Sequence, residues 1–416
     1  MFSSRIRISL RAVCRHHQSQ FAQRCNSAPA VSSDAPHSHS PVVPAHAPGT
    51  VRFMAPTNEP CEFDARHEGQ WYELNAREIE AIQLMPLFHT ETKERAALFR
   101  TTALMVRRPF LDLVSYLNQI STQRNQPHFR ALLYGDFGTG RRTTVAQLIH
   151  YGYTKDWLLV HVPDVLNWTR GYAIELAIST YKPPRIDMPL EAVKMLTLFK
   201  QLNVHHADLL NALPTTKTYK FTERESQPEG TSLMQLIDYG ISRPTFATDC
   251  FGALLRELKS YATAGKFKML VTMNGANSLF HSSRHKRSDR YGVPSPQLAL
   301  CHFFIRMITD PWTNGVIVGA LRSSEFRIAK YRGQEAVPEM PKNLLRMAGI
   351  DAFDPFIALK LENFSVKEAQ NFVAYLRSIN WIKEDGSSLT RNDHEELYAI
   401  TAGNPLLMHE YYASFY

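Results

Sequence analysis

One stretch constrains the fold more than any other part of this 416-residue chain: RALLYGDFGTGRRTTVAQLIH, residues 130–150. The apolar run RALLYG ends at Gly135. A glycine-rich turn follows, and then TTVAQLIHYG puts Val145, Leu148 and Ile149 on one helical face. WLLVHVPD, residues 157–164, reads as a second buried strand. Strand, glycine loop, helix, strand is the setting in which a phosphate-binding loop is credible. The G-x-x-x-x-G spacing runs from Gly135 to Gly140, with Gly138 between. Glycines there let backbone N–H groups turn inward at a helix N-terminus and cradle a phosphate. An ordinary glycine turn would share the composition, but the flanking segments favour the phosphate loop.

The residues that carry phosphate and metal chemistry depart from that pattern. Arg141 stands where a lysine normally delivers its compact ammonium, and a planar guanidinium is not equivalent. Arg142 stands where a hydroxyl normally binds Mg²⁺, and its charge argues against the metal. Thr143 follows, but one residue along a helix rotates a side chain by about 100°. FKMLVTMNGANSLF, residues 267–280, reads as a further buried strand. Asn274 stands at its end, where a phosphoryl-transfer enzyme of this type carries a metal-holding aspartate. Three changes together argue against hydrolysis, so the expectation is a degenerate nucleotide-binding loop made of Gly135, Asp136, Phe137, Gly138, Thr139, Gly140, Arg141, Arg142 and Thr143, with Asn274 beside it. No catalytic residue and no metal site are expected.

Val316 to Leu321 supplies another apolar run, and strands separated by helical segments give a parallel α/β sheet. Residues 71–126 read as helical, with apolar residues at three- and four-residue spacing in EIEAIQLM and PFLDLVSYLNQI. DPFIALKLENFSVKEAQNFVAYLRSINWI and EELYAITAGNPLLMHEYYASFY also read as helical. Residues 35–60 are Pro-rich and aperiodic, as in a linker.

Of the net charge of +8, five arginines lie in residues 1–33, ahead of the first carboxylate, Asp34. Phe2, Ile6 and Leu10 recur among those arginines as on an amphipathic basic helix, the pattern of a mitochondrial transit peptide. Five scattered cysteines without a C-x-x-C pair suit a reducing compartment. No uncharged apolar run nears the ~18 residues that span a bilayer. HSSRHKRSDRYG, residues 281–292, reads as an exposed loop whose Arg284, Lys286, Arg287 and Arg290 could neutralise RNA phosphates or meet a protein partner. RSSEFRIAKYRG, residues 322–333, adds Arg327, Lys330 and Arg332. The aromatics of HEYYASFY belong either to a partner contact or to the packing of the last helix.

An ordered series of stretches resembles one family, that of death-associated protein 3, the P-loop protein of the mitochondrial small ribosomal subunit. The series is LMVRRPFLDLVSYL, LLYGDFGTG, KDWLLVHVPD, RES at 224–226, GISR at 240–243, ATD at 247–249, DPF at 354–356 and GNP at 403–405. It covers about three quarters of the chain, from Leu104 onward. The resemblance implies an AAA-like P-loop α/β fold, a parallel sheet with a helical N-terminal extension and a C-terminal helical lid. It implies a structural role in mitochondrial translation, in the matrix, with small-subunit rRNA and ribosomal proteins as partners. It also implies guanine nucleotide, GTP or GDP, in the loop. A GTP-binding switch and an apoptosis-linked adaptor stay open as alternatives. The expected segments are 1–33 transit peptide, 34–60 linker, 61–128 helical extension, 129–335 P-loop-like α/β core and 336–416 C-terminal helical domain.

Overall fold

The computed structural model describes residues 53–99, 102–171, 174–179, 184–286, 290–322, 339–381 and 393–413. The transit-peptide stretch, most of the Pro-rich segment, Arg287 and the basic run at 327–332 lie outside these residues.

Five parallel strands form the central sheet: β1 (Phe129–Gly135), β2 (Leu158–Val162), β3 (Met269–Asn274), β4 (Gly315–Ala320) and β5 (Ile357–Leu361). Their order across the sheet is β5-β1-β4-β3-β2. β4 is central, with Val316 opposite Phe129 of β1 and Leu270 of β3. Every residue of β2, β3 and β4 is buried. That explains their unbroken apolar runs, because a parallel sheet is covered on both faces.

Successive side chains leave a strand on opposite faces. Leu132, Val160, Val271 and Ile317 enter one core. Their neighbours Ala131, Leu133, Leu159, Leu270, Val316 and Val318 enter the other. The helices divide in the same way. Helices α1 (Arg108–Thr122) and α2 (Arg141–Thr154) send Phe110, Leu113, Val145 and Leu148 into the second core. Helices α3 (Pro189–Leu202), α4 (Pro244–Thr263) and α5 (Ala299–Thr309) cover the first, with Leu196, Phe251 and Phe304.

The structure differs from the sequence expectation near both ends of the described residues. The segment expected to be a helical extension contains two strands, Trp71–Leu74 and Thr102–Met105, paired antiparallel. The C-terminal segment expected to be wholly helical supplies β5, the edge strand beside β1. IALKL alternates in burial, which is the period of a strand rather than of a helix. Helices α6 (Val366–Ser378) and α7 (Pro405–Ala413) do follow. A third core joins the two ends of the chain: Trp71, Ala103 and Met105 pack with Phe364, Phe372, Tyr375, Leu376, Met408 and Tyr412. Of the terminal aromatics, Tyr412 is a core residue and Tyr411 packs against that core; Phe415 and Tyr416 lie outside the described residues. Trp71 stacks on Tyr375 at 4.3 Å between ring centroids.

Candidate functional site

A cavity of about 300 Å³ opens at the carboxyl ends of β1, β3 and β4. Ligands of open α/β sheets bind at that end of the strands. Residues 137–140 of the loop form its floor, the first turn of α2 one wall, and segments near the two ends of the described residues close it.

Three glycines shape the loop, each for a separate steric reason. Gly135 has φ +144°, and a Cβ there would lie 2.2 Å from the carbonyl oxygen of Leu361 in β5. Gly138 has φ +91°, and its Cβ would lie 2.4 Å from Oδ1 of Asn404. Gly140, at φ +100°, is the residue from which α2 starts. The first-turn N–H groups of a helix have no intrahelical acceptor, so this turn is suited to hold an anion.

The loop is clamped from outside. The Arg107 guanidinium donates to the Thr139 carbonyl at 2.7 Å, to the Glu362 carbonyl at 2.9 Å and to Glu368 Oε1 at 2.9 Å. Its face covers the Phe364 ring at 4.9 Å. Asn404, just ahead of α7, donates to the Phe137 carbonyl at 2.9 Å, and the Leu406 N–H donates to the Gly138 carbonyl at 3.2 Å. Thr139 is buried, and its hydroxyl donates back to the Asp136 carbonyl.

Phe137 to Thr143 and Asn274, singled out in the sequence, all line the cavity; Gly135 and Asp136 lie just before it in the loop. The two arginines are held apart by the backbone. Arg141 donates to the Leu321 carbonyl beyond β4, and Arg142 donates to the Pro86 carbonyl at 2.9 Å. Burial, followed by repulsion from Arg322, lowers the pKa of Arg142 from its ordinary value. Arg322 itself pairs with Asp164 at 2.6 Å, and Asn277 fixes its backbone in both directions. Asn274 ends β3 and is buried, yet neither its Nδ2 nor its Oδ1 meets a hydrogen-bond partner. A buried amide left in that condition costs roughly 1–3 kcal/mol, so this one is poised to meet a polar group entering the cavity.

The far end of the cavity is apolar. Trp71, Leu87, Phe88, Leu104, Phe364 and Leu406 line it, and Arg95 with His409 forms its polar edge at 3.1 Å. Burial, and then Arg95, holds His409 well below the usual imidazole range. The sequence did not single out Arg107, Asp164, Arg322 or Asn404 as site residues. Asn404 and Asp164 left a local trace, since each precedes a helix; Asp164 accepts from the Leu166 N–H. Arg107 and Arg322 left none, because their partners are distant in sequence.

The expected basic loop is instead a hairpin, with Ser282–Lys286 pairing antiparallel with Gly292–Pro294. Arg284, Lys286 and Arg290 are exposed on it; Arg287 is outside the described residues. The hairpin is anchored at its base, where Ser283 donates to the Val293 carbonyl and His285 meets the Trp168 carbonyl at 2.9 Å. It stands apart from the cavity, none of whose lining residues belong to it.

A parallel sheet, a glycine loop after β1 and a helix starting at Gly140 together define a P-loop-type α/β protein. Residues 104–410 match the family model described as mitochondrial ribosomal death-associated protein 3, and the chain belongs to that family. It is 31% identical over 354 residues to a Bos taurus protein named small ribosomal subunit protein mS29, covering 84% of this chain and 85% of the relative. A Mus musculus protein of the same name is 31% identical over 366 residues, covering 87% and 89%. A Neurospora crassa protein of that name is 21% identical over 328 residues, covering 74% and 66%. No helix among the described residues is long and apolar enough to cross a membrane.

Proposed function

We propose that this chain is a structural component of the small subunit of the mitochondrial ribosome, working in the matrix against rRNA and neighbouring ribosomal proteins. Its loop holds a guanine nucleotide, GTP or GDP, as a fixed part of the fold and without Mg²⁺. Family membership supports the ribosomal role, together with the basic leader of the sequence. The observation that carries the nucleotide is the cavity itself, with an anion-binding helix turn at one end and an apolar, aromatic wall at the other.

Three features favour a held ligand over a hydrolysed one. Arg142 takes the sequence position of the Mg²⁺-binding hydroxyl and turns its guanidinium to the Pro86 carbonyl, and Asn274 brings no charge where an aspartate would hold the metal. Arg107 and Asn404 tie the loop to the C-terminal segment, which suits a static support better than a switch. Calorimetry on the purified chain tests this with GTP, GDP and ATP, in Mg²⁺ and in EDTA. The expected result is guanine-nucleotide binding that EDTA leaves unchanged and no release of phosphate from GTP. Binding abolished by EDTA overturns the metal-free reading. Sedimentation of a mitochondrial lysate tests the ribosomal role: the protein is expected with the small-subunit rRNA, and its persistence at the top of the gradient overturns that role.

A further inference from the structure

At the opposite end of α2 from the nucleotide cavity, about 20 Å away at 1.5 Å per residue, three side chains converge that the ribosomal and nucleotide readings do not use. Asp156 lies in the short connection between α2 and β2. His205 and His206 lie in the 3₁₀ turn Val204–His206 that ends α3. One ligand atom from each falls within 4.8 Å of the other two.

The arrangement is built rather than incidental. Asn203 is fully buried and fixes the turn to β2. Its Oδ1 accepts from the Leu159 N–H at 2.8 Å, and its Nδ2 donates to the carbonyls of Leu159 and Phe199 at the same distance. Tyr153 meets the His205 ring edge to face at 4.9 Å, and the two imidazole centroids are 4.1 Å apart. His206 is 6% exposed, and its Nε2 has no hydrogen-bond partner. Asp156 Oδ1 is 3.6 Å from it, too far for a hydrogen bond. Two ligand atoms on a tetrahedral zinc, each at 2.0–2.1 Å from the metal, lie about 3.3 Å apart. The gap between His206 and Asp156 is close to that edge length.

We propose that Asp156, His205 and His206 form a binding site for a zinc-type transition-metal dication, with one position left for water. Two imidazole nitrogens and one carboxylate oxygen make a donor set of the zinc class; Mg²⁺ and Ca²⁺ prefer all-oxygen sites. The ion gives the buried Nε2 of His206 the partner it lacks. It also joins the end of the phosphate-loop helix to the end of α3, so the two flanks of β2 are held by one bond set.

The test is a zinc titration of the full chain against a chromophoric chelator, beside the variants Asp156→Asn and His205→Gln. Both substitutions fall on exposed side chains. Asn also suits the backbone of Asp156, at φ +56°. The expected result is one tightly bound zinc in the wild type, and at least a tenfold weaker affinity in each variant. The variants should match the wild type in thermal midpoint in EDTA, while added zinc raises that midpoint only in the wild type. No saturable zinc site in the wild type, or wild-type affinity in either variant, overturns the proposal.

Discussion

Arg107 shows how much of the phosphate loop is decided by residues outside it. Its side chain and that of Glu368 are 11% and 9% exposed, and they pair at 2.9 Å. Removing one member of such a pair leaves a buried charge without a counter-ion, at a typical cost of 3–5 kcal/mol. Arg107→Met is therefore expected to lower unfolding stability by about 3 kcal/mol and to weaken nucleotide retention, read by urea titration and calorimetry. Glu368→Gln should cost less, because Gln can keep the reciprocal bonds with Ser365 that cap α6. Equal losses for the two variants would mean that the shared charge pair, rather than the bonds of Arg107 to the Thr139 and Glu362 carbonyls, is the dominant contact. At Gly135 the obstacle is backbone: a Cβ would press on the Leu361 carbonyl, which cannot swing aside. Gly135→Ala is expected to separate β5 from β1 and to cost about 2 kcal/mol or more, given the positive φ and the clash together. An unchanged urea midpoint would contradict that geometry.

Strands and helices differed in how far they could be read from the sequence. The loop, α2 and the strands β1 to β4 were legible because their apolar runs are unbroken and bounded by glycine or polar turns. β5 was not, because its five residues sit between helical patterns and at the edge of the sheet. The pair Trp71–Leu74 and Thr102–Met105 was missed for a similar reason. Each strand is four residues long and its partner is some thirty residues away, so tertiary pairing overrides a weak local period. Within the candidate site, the loop glycines and Asn274 could be read locally, whereas Arg107 and Arg322 depend on contacts that only the folded chain makes. Burial inside a legible strand also carries a pH consequence. His161 of β2 faces Thr272 of β3 and meets its hydroxyl at 2.8 Å. Burial, then Arg142, pushes its pKa down from 6.5 to about 3. The folded chain keeps this imidazole neutral, while the unfolded chain takes up a proton below about pH 6.5. Its contribution to stability is therefore complete above pH 6.5 and is lost progressively as the pH falls toward 3. His128 is shifted in the same direction, chiefly by burial. The urea midpoint is expected to fall between pH 7 and pH 5, with a shallower fall in His161→Gln. Identical slopes for the two proteins would assign the pH dependence to other groups.

At the scale of the whole molecule, the two ends of the described chain close the cavity together. Trp71 contributes to the third core, donates its indole N–H to the Asn371 carbonyl at 3.2 Å and lines the cavity. Asn371 returns a bond to the Gly69 carbonyl at 2.8 Å. The strand pair near the N-terminus and helix α6 are thus one packed unit, and α7 joins it through Met408 and Tyr412. An independent lid would let the sheet keep its stability when the lid is loosened. A shared core does not, because disordering one end exposes the apolar face of the other. Trp71→Ala is expected to cost about 3–5 kcal/mol, the usual range for deleting a buried tryptophan side chain. The loss should appear as one cooperative unfolding transition at a lower urea concentration. Nucleotide release should quicken as well, because the same ring forms part of the cavity wall. The control is Tyr291→Ala, on an exposed side chain of the basic hairpin, which should leave stability and nucleotide release near wild-type values. Two separate transitions in Trp71→Ala, with the sheet melting at its wild-type midpoint, would show instead that the ends form a lid of their own. A single shifted transition with faster release means that the cavity is closed by the fold itself. A bound nucleotide would then leave only as rapidly as that terminal core opens.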